Sequence, residues 1–366
     1  MLFLAATVIP LAGQARTALE VWSRDSLVQP LYQVQSLGLV QDSILWVSDG
    51  GTGIHRLTTT GGYLGAVGRE GEGPGEYRWP WLIQVLDDTI AVFDRRLLRL
   101  SLFSADGRFQ RSTPMQVLDN IHGRFRGIAR HPNGWLAWTD NYPAGSPRPN
   151  EQSSFVWLIG ANGTPRDTLV KLPGPESVML RETGTSSRID APFQRRPFVL
   201  FGGESIIIGN NGTDQLTTYN TSGQVISTRR IPLTAKRVTA ADRTTYHNFR
   251  LKRWNDEVEQ QNYGPEMRRV FAERFDQIME LVRYPSTWHR YELMLRDTEG
   301  DLWFLLPSHE RARTWVELSA SGRIKRRIKV PHKGTVLNAV IAGNMMYAGE
   351  WDEDEAKGRV AAYSVR

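Results

Sequence analysis

The sequence predicts an all-β fold, a six-bladed β-propeller with a helical hairpin inserted between blades four and five. Three observations predict it. A short turn motif recurs along the 366-residue chain, an apolar strand precedes each copy, and the last unit ends one strand short. Two separate β-sandwiches, the structural competitor, explain neither the repeated turn nor the missing strand.

The motif is an apolar residue, three small or polar residues and a glycine. It reads LTTTG (Leu57 to Gly61), FSADG (Phe103 to Gly107), IGANG (Ile159 to Gly163), YNTSG (Tyr219 to Gly223) and LSASG (Leu318 to Gly322). Alternating segments such as RFQRS and QVIST follow, so each glycine supplies the positive φ of a hairpin turn. Upstream of each turn lies a run rich in β-branched and aromatic residues: DSILWVSD, DDTIAVFD, NGWLAWTD, ESIIIGNN and GDLWFLLP. Runs of this kind, buried on both faces, are central strands. The sixth unit, GNMMYAGEWDEDEAKGRVAAYSVR, lacks its outer strand, and ALEVWS near the N-terminus is placed to supply it and close the ring.

Successive motif glycines lie 46, 56, 60 and 99 residues apart. The long interval holds residues 239–283, which read as two helices. The second has Pro265 in its first turn and carries Met267, Val270, Phe271, Phe275, Ile278, Met279 and Val282 on one face. That stripe is expected to pack on the propeller.

The first fifteen residues, MLFLAATVIPLAGQA, are apolar and uncharged and end in small residues, the pattern of a secretory signal. The expected organisation is a signal over 1–15 and the propeller over 16–366, with a periplasmic or secreted location. No lysine or arginine precedes the apolar run, so either the start lies upstream or the signal is atypical. The run is shorter than the ~20 residues of a bilayer span. The absence of cysteine excludes disulfides, thiolate metal sites, thiol nucleophiles and a lipid-modified cysteine. The net charge of +6 is modest, and GRIKRRIKV reads as a charge-protected edge strand, so no nucleic-acid partner is expected.

In a four-stranded blade with strands a to d, the b–c loops share a face with the d–a linkers, and the glycine turns lie opposite. This gathers GREGEGPGEYRWPW, DNIHGRF, NYPAGSPRPNEQ, PGPESVMLRETGTSSRIDAPFQRRPF and the helical insertion on one face, where binding usually resides. GREGEGPGEY (Gly68 to Tyr77) lacks the Gly-Lys-Ser/Thr ending of a phosphate loop, its glutamates repel phosphate, and it lacks calcium-loop spacing. It reads as the connector from blade one to blade two.

The string VGREGEGPGEYRWPWLI, followed by DDTIAVFDRRLLRLSLFSADG, resembles bacterial six-bladed β-propeller proteins related to the NHL-repeat family. Their glycine-rich G-x-G-x-G-P-G-E-[FY] segment precedes a strand. The ending GRIKRRIKVP…MMYAGEWDEDEAKGRVAAYSV is similar to that family's last blade. The resemblance covers most of residues 35 to 366 and is less typical over 239–283. It implies export and a propeller scaffold, and carries over no catalytic residue.

Histidines 55, 122, 131, 247, 289, 309 and 332 never fall at zinc-motif spacing, and no Gly-x-Ser-x-Gly elbow is present. Propeller lactonases and lyases use isolated residues in the channel, without a linear signature. Under that alternative, a metal-dependent hydrolase or lyase using Ca2+ or another divalent cation, the candidates are Asp42, Asp49, Asp94, Asp140 and Asn210, although turn-forming and blade-bridging roles are the preferred reading. The acidic run at 352–355 reads as a solvated loop. The leading expectation is an exported, non-catalytic binding or scaffolding module without a cofactor or metal site. Arg69, Tyr77, Arg78, Trp79, Trp81, Arg195 and Arg196 would hold a protein, peptide or glycan at the loop-rich mouth. The competing reading packs Trp79 and Trp81 between blades.

Overall fold

The structure, a computed structural model, describes residues 15–27, 29–115, 122–142, 152–182, 185–260, 263–352 and 355–366. The signal expected over 1–15 therefore lies almost wholly outside the described residues, as do most of NYPAGSPRPNEQ and the middle of the 352–355 run. Two strands open the described chain, β1 (Arg16–Thr17) and β2 (Leu19–Arg24).

Six antiparallel sheets follow in chain order. Blade one is β3 to β6 (Val34–Val40, Ile44–Asp49, Gly53–Thr58, Tyr63–Ala66), and blade two is β7 to β10 (Pro80–Leu86, Thr89–Asp94, Arg99–Ser104, Phe109–Pro114). Blade three is β11 to β14 (His122–His131, Gly134–Tyr142, Ser153–Ile159, Pro165–Pro173). A two-stranded hairpin, β15 (Ser177–Glu182) and β16 (Thr185–Asp190), stands in the next linker, where the sequence suggested only a loop. Blade four is β17 to β20 (Pro197–Gly202, Ser205–Asn210, Gln215–Asn220, Val225–Arg230). Helices α1 (Ala240–Gln260) and α2 (Pro265–Leu281) precede blade five, β21 to β24 (Leu293–Arg296, Leu302–Leu305, Ala312–Leu318, Ile324–Pro331). Blade six has three strands of its own, β25 to β27 (Thr335–Ala342, Met345–Asp352, Lys357–Ser364).

Strand β2 pairs antiparallel with β27 and supplies the outer strand that blade six lacks, as the sequence predicts. Just before it, β1 pairs in parallel with β24, and the buried Ala18 donates its N–H to the Lys329 carbonyl at 2.8 Å. One N-terminal segment thus fastens blade five to blade six. The motif glycines 61, 107, 163, 223 and 322 all close c–d hairpins with φ between 80° and 91°.

The uninterrupted apolar runs have a simple cause. In β4, Leu45 and Val47 face blade six while Trp46 faces blade two. In β8, Ile90 and Val92 face blade one while Ala91 and Phe93 face blade three. Because successive residues point to opposite faces of a strand, a sheet packed between two others is apolar at every position.

The helical insertion lies where it was expected, but its apolar stripe is used differently. Phe271 and Phe275 of α2 pack against Trp254 of α1, with Tyr263 stacked on Phe271 at 5.0 Å between ring centroids. Phe275 and Ile278 are buried, whereas Met267 and Val270 remain exposed. The stripe mainly closes the two helices on each other. Helix α2 also runs beside β15, and the start of α1 is fastened to the propeller: Asp242 accepts bonds from the Thr239 N–H at 2.8 Å and Trp288 Nε1 at 3.2 Å, and His309 Nε2 of the blade-five b–c loop lies 3.4 Å away.

Candidate functional site at the mouth of the channel

The a strands β3, β7, β11, β17, β21 and β25 line a central cavity of about 460 Å³. Each a strand enters from the loop-rich face, so the first residues of these strands surround the mouth. Below the mouth the lining side chains include Leu39, Val85, Trp138, Phe201, Leu295 and Val340, while the free edges of the a strands, each the end strand of its sheet, add backbone polar groups. Charge is concentrated at the mouth in Arg126, Asp140 and Arg196, and Arg296 lies at the opposite end.

Arg126 is the extra residue of a β-bulge, since Phe125 pairs with Thr139 and Gly127 with Trp138. Bulges re-aim side chains, and this one places a guanidinium on the channel wall. Its Nε donates to Asp140 Oδ2 at 2.7 Å, and Ser154 Oγ donates to Asp140 Oδ1 at 2.6 Å. Asp140 is almost fully buried.

Arg196 immediately precedes β17. Its backbone N–H donates to Asn211 Oδ1 at 2.8 Å, and Asn211 Nδ2 in turn donates to the carbonyls of Gln194 and Tyr291. The backbone position is therefore fixed from both blades four and five. The guanidinium donates Nη2 to the Glu292 carbonyl at 3.1 Å and lies 4.9 Å from the Phe198 ring centroid. Burial, and then the positive Arg126, hold its pKa below the ordinary arginine value. The Glu292 carboxylate is engaged by Arg313 and His289; burial opposes its charge, but those partners keep its pKa below the usual carboxylate range. Asp140, Asp190 and Glu292 all act on the Arg196 charge, and arginine presents planar paired donors suited to carboxylate or phosphate oxygens.

The sequence-selected residues separate into distinct groups. Arg196 and Asp140 belong to the mouth. Trp79 and Trp81 form an edge-to-face pair at 6.2 Å, with Arg95 over both rings at 5.4 and 4.8 Å, in the linker into blade two. Trp79 is 37% exposed at the rim, whereas Trp81 is half-buried and packs against the core between blades two and three. Tyr77 is buried, with its ring against Gly53 and Gly68. Arg69 pairs with Glu76 at 2.7 Å, and Arg78 lies within 3.4 Å of Glu70 and Glu72. Arg195 packs its methylenes beside Gly212. Arg99 anchors the whole connector by donating to the carbonyls of Glu72, Gly73 and Glu76.

The carboxylates at the other strand ends are structural. Asp94 accepts four backbone N–H bonds, from Arg78, Trp79, Arg96 and Leu97 at 2.6 to 3.0 Å, tying the linker to the b–c turn. Asp49 does the same for Gln33, Gly51 and Thr52. Asn210 caps its own turn through the Gly212 N–H, and Asp42 sits at positive φ in the β3–β4 turn on the opposite face. The acidic group Asp297, Asp301 and Glu317 could gather a cation, but Lys325 Nζ already stands 2.5 Å from Asp301 and 2.8 Å from Glu317.

Solved structures share this architecture. The chain aligns with a Bacteroides fragilis protein named for export at 11% identity and a TM-score of 0.50, over 95% of this chain and 93% of the other. A Bacteroides vulgatus member of the DUF4221 family gives the same identity and TM-score, over 95% and 97%. These likenesses establish the fold alone. Virginiamycin B lyase of Staphylococcus aureus is also similar at 11% identity, over 96% of this chain and 99% of that one, with a TM-score of 0.45. No protein-family model and no curated protein matches the sequence. Among the described residues no helix is long and apolar enough to cross a membrane.

Proposed function

We infer that the protein is an exported, non-catalytic binding module that takes its ligand at the mouth of the propeller channel. The observation that carries this reading is the convergence of Arg126 and Arg196 on the wall of the channel, beside Asp140. An anionic group bound there replaces lost hydration with charge-assisted hydrogen bonds in a shielded site. The reading calls for no resident cofactor. It places the protein in the periplasm or outside the cell and within the wider group of NHL-related propellers. The alternative, a divalent-metal hydrolase or lyase of the lactonase type, would draw on several channel carboxylates and amides.

The test is a melting-temperature titration with phosphate, acetate and longer organic anions. A ligand that binds only the folded state raises the melting temperature. Stabilisation by anions that disappears in Arg196→Met supports the reading. Equal stabilisation of both proteins contradicts it.

A further inference from the structure

We propose a second binding site, for a short neutral saccharide, on the part of the mouth that blades six, one and two contribute. It goes beyond the anion reading above and stands without it. Three observations carry it.

The first is a repeated bulge. In blades one, two, three and six the a strand carries one extra residue, and five ladder pairs separate that residue from the a–b turn in each sheet. The extra residues are Gln35, Trp81, Arg126 and Leu337, so they stand at one level of the ring. Arg126 and Leu337 line the channel, which sets that level at the mouth. Bulges re-aim side chains. From blade six through blade two this one presents leucine, an amide and an indole, and charge enters only at blade three.

The second is the surroundings of Gln35 and Trp81. Tyr32 packs edge-to-face with Trp351 at 6.2 Å between ring centroids, as Trp79 does with Trp81. The Gly50–Gly51 turn lies between the two pairs: a Cβ on Gly51 would come 2.7 Å from Tyr32 Cβ, and one on Gly50 would come 3.6 Å from Trp79 Nε1 and 3.1 Å from Gln35 Nε2. Two aromatic pairs thus flank one turn, with an amide beside it. Tyr32 is 61% exposed, and Trp79 also reaches solvent. Gln35 Nε2 donates to Gln33 Oε1 at 2.9 Å, which orients both amides. Gln33 Nε2, Gln35 Oε1, Trp79 Nε1 and Tyr32 Oη have no hydrogen-bond partner among the described residues.

The third is that charge and backbone are already engaged here. Asp49 is fully buried and accepts from the Gln33, Gly51 and Thr52 N–H groups, and the Arg95 guanidinium lies over Trp79 and Trp81. Gly50 N–H donates to the Gln33 carbonyl and Arg95 N–H to the Trp79 carbonyl, each at 2.9 Å, while the Trp79 N–H goes to Asp94. A peptide adding itself as a strand finds no free backbone edge along this rim. A pyranose needs none. Its C–H faces lie against aromatic rings, and its hydroxyls bond to amides, phenols and indole N–H groups, the combination of apolar body and polar tip that Trp and Tyr offer.

The experiment is titration of the full chain with maltotriose, cellotriose, mannotriose and tri-N-acetylchitotriose, with a neutral Gly-Ser hexapeptide as the contrasting probe. Binding is read by calorimetry and by nitrogen-15 indole resonances. At least one trisaccharide should bind and shift the Trp79 and Trp351 indole resonances, and the hexapeptide should not bind. Trp79→Ala and Tyr32→Ala should each weaken that trisaccharide by about tenfold.

Failure of all four trisaccharides to bind overturns the proposal. Binding that keeps its full strength in both Trp79→Ala and Tyr32→Ala overturns the site, and a hexapeptide that binds as tightly as any trisaccharide overturns the saccharide. Should either variant not fold, Gln35→Ala replaces it, and undiminished binding in that variant overturns the site as well. The anion reading fails separately. Phosphate that stabilises the protein while no saccharide binds overturns this proposal alone, and saccharide binding without any effect of anions overturns the anion reading alone.

Discussion

Nδ1 of His332 lies 2.8 Å from Oε1 of Glu350, and both side chains are completely buried where blade five meets blade six. Trp315 Nε1 donates to His332 Nε2 at 3.0 Å, which leaves Nδ1 as the protonated nitrogen donating to Glu350. Glu350 also accepts from Tyr363 Oη at 2.5 Å and Arg359 Nη1 at 3.2 Å, and Arg359 reaches Glu20 of β2 at 2.6 Å. Burial, reinforced by the Glu350 carboxylate, holds the Tyr363 hydroxyl in its protonated form. The network couples the ring-closing strand to the blade it completes. Glu350→Ala should therefore destabilise the protein by about 3 kcal/mol, because it leaves buried donors unpaired. Urea denaturation measures this, and a change below about 1 kcal/mol would show that the network contributes little.

Deleting residues 16–24 removes β1 and β2 together. It uncovers the outer edge of β27 and the edge of β24, with the alternating apolar side chains beneath them. Open strand edges pair with other chains. The shortened protein should elute as oligomers or aggregate on size-exclusion chromatography, whereas a stable monomer with an unchanged melting temperature would contradict a closing role for this segment.

Asp94 holds the backbone N–H groups of Arg78, Trp79, Arg96 and Leu97. Asp94→Ala should cost about 3 kcal/mol, and Asp94→Asn less, since one amide oxygen keeps part of the set. Thermal denaturation of the two variants ranks them, and the opposite order would contradict the capping role.

Much of the architecture was legible because it is written locally. The five motif glycines must adopt positive φ whatever surrounds them, and the alternation in β4 and β8 reports burial on both faces. The aspartates at the ends of b strands were also recognisable as turn and bridging residues, and Asp49 and Asp94 fill those roles. The mouth was only half legible. Arg196 stood out beside Arg195 as a charged pair before a strand, and Asp140 ended a strand. Arg126 did not stand out, because in RFRGIAR a bulge decides which arginine faces the channel, and bulges leave no reliable mark in sequence. The channel lining is assembled from residues between Leu37 and Val340 that no periodicity links. The β15–β16 hairpin escaped because its polar residues mask the two-residue period.

The helical insertion should respond to acid at its base. Burial pushes the Asp242 carboxyl up, but bonds from Thr239 and Trp288 and the charge of Lys236 outweigh it and bring the pKa down to about 2 from an ordinary 3.8. A depressed carboxyl pKa contributes stability that is complete above the unfolded value and lost as the pH falls through the folded one. Attachment of α1 should thus be fully retained above about pH 4 and weaken as the pH falls toward about 2. Hydrogen exchange of the first turn of α1 across that window tests this, and Asp242→Asn should flatten the profile. A wild-type profile that is already flat would contradict the assignment.

The central claim is that an anion binds at the channel mouth beside Arg126 and Arg196 rather than on the aromatic rim. Nitrogen-15 side-chain resonances separate the two directly, because Arg126 and Arg196 lie on the channel wall while Trp79 and Trp81 stand in the linker into blade two. With the peaks assigned by single substitutions, phosphate or acetate should shift the Arg196 Nε–H resonance and leave the Trp79 and Trp81 indole resonances unmoved. Shifts confined to Trp79 and Trp81, with Arg196 unchanged at saturation, would contradict it.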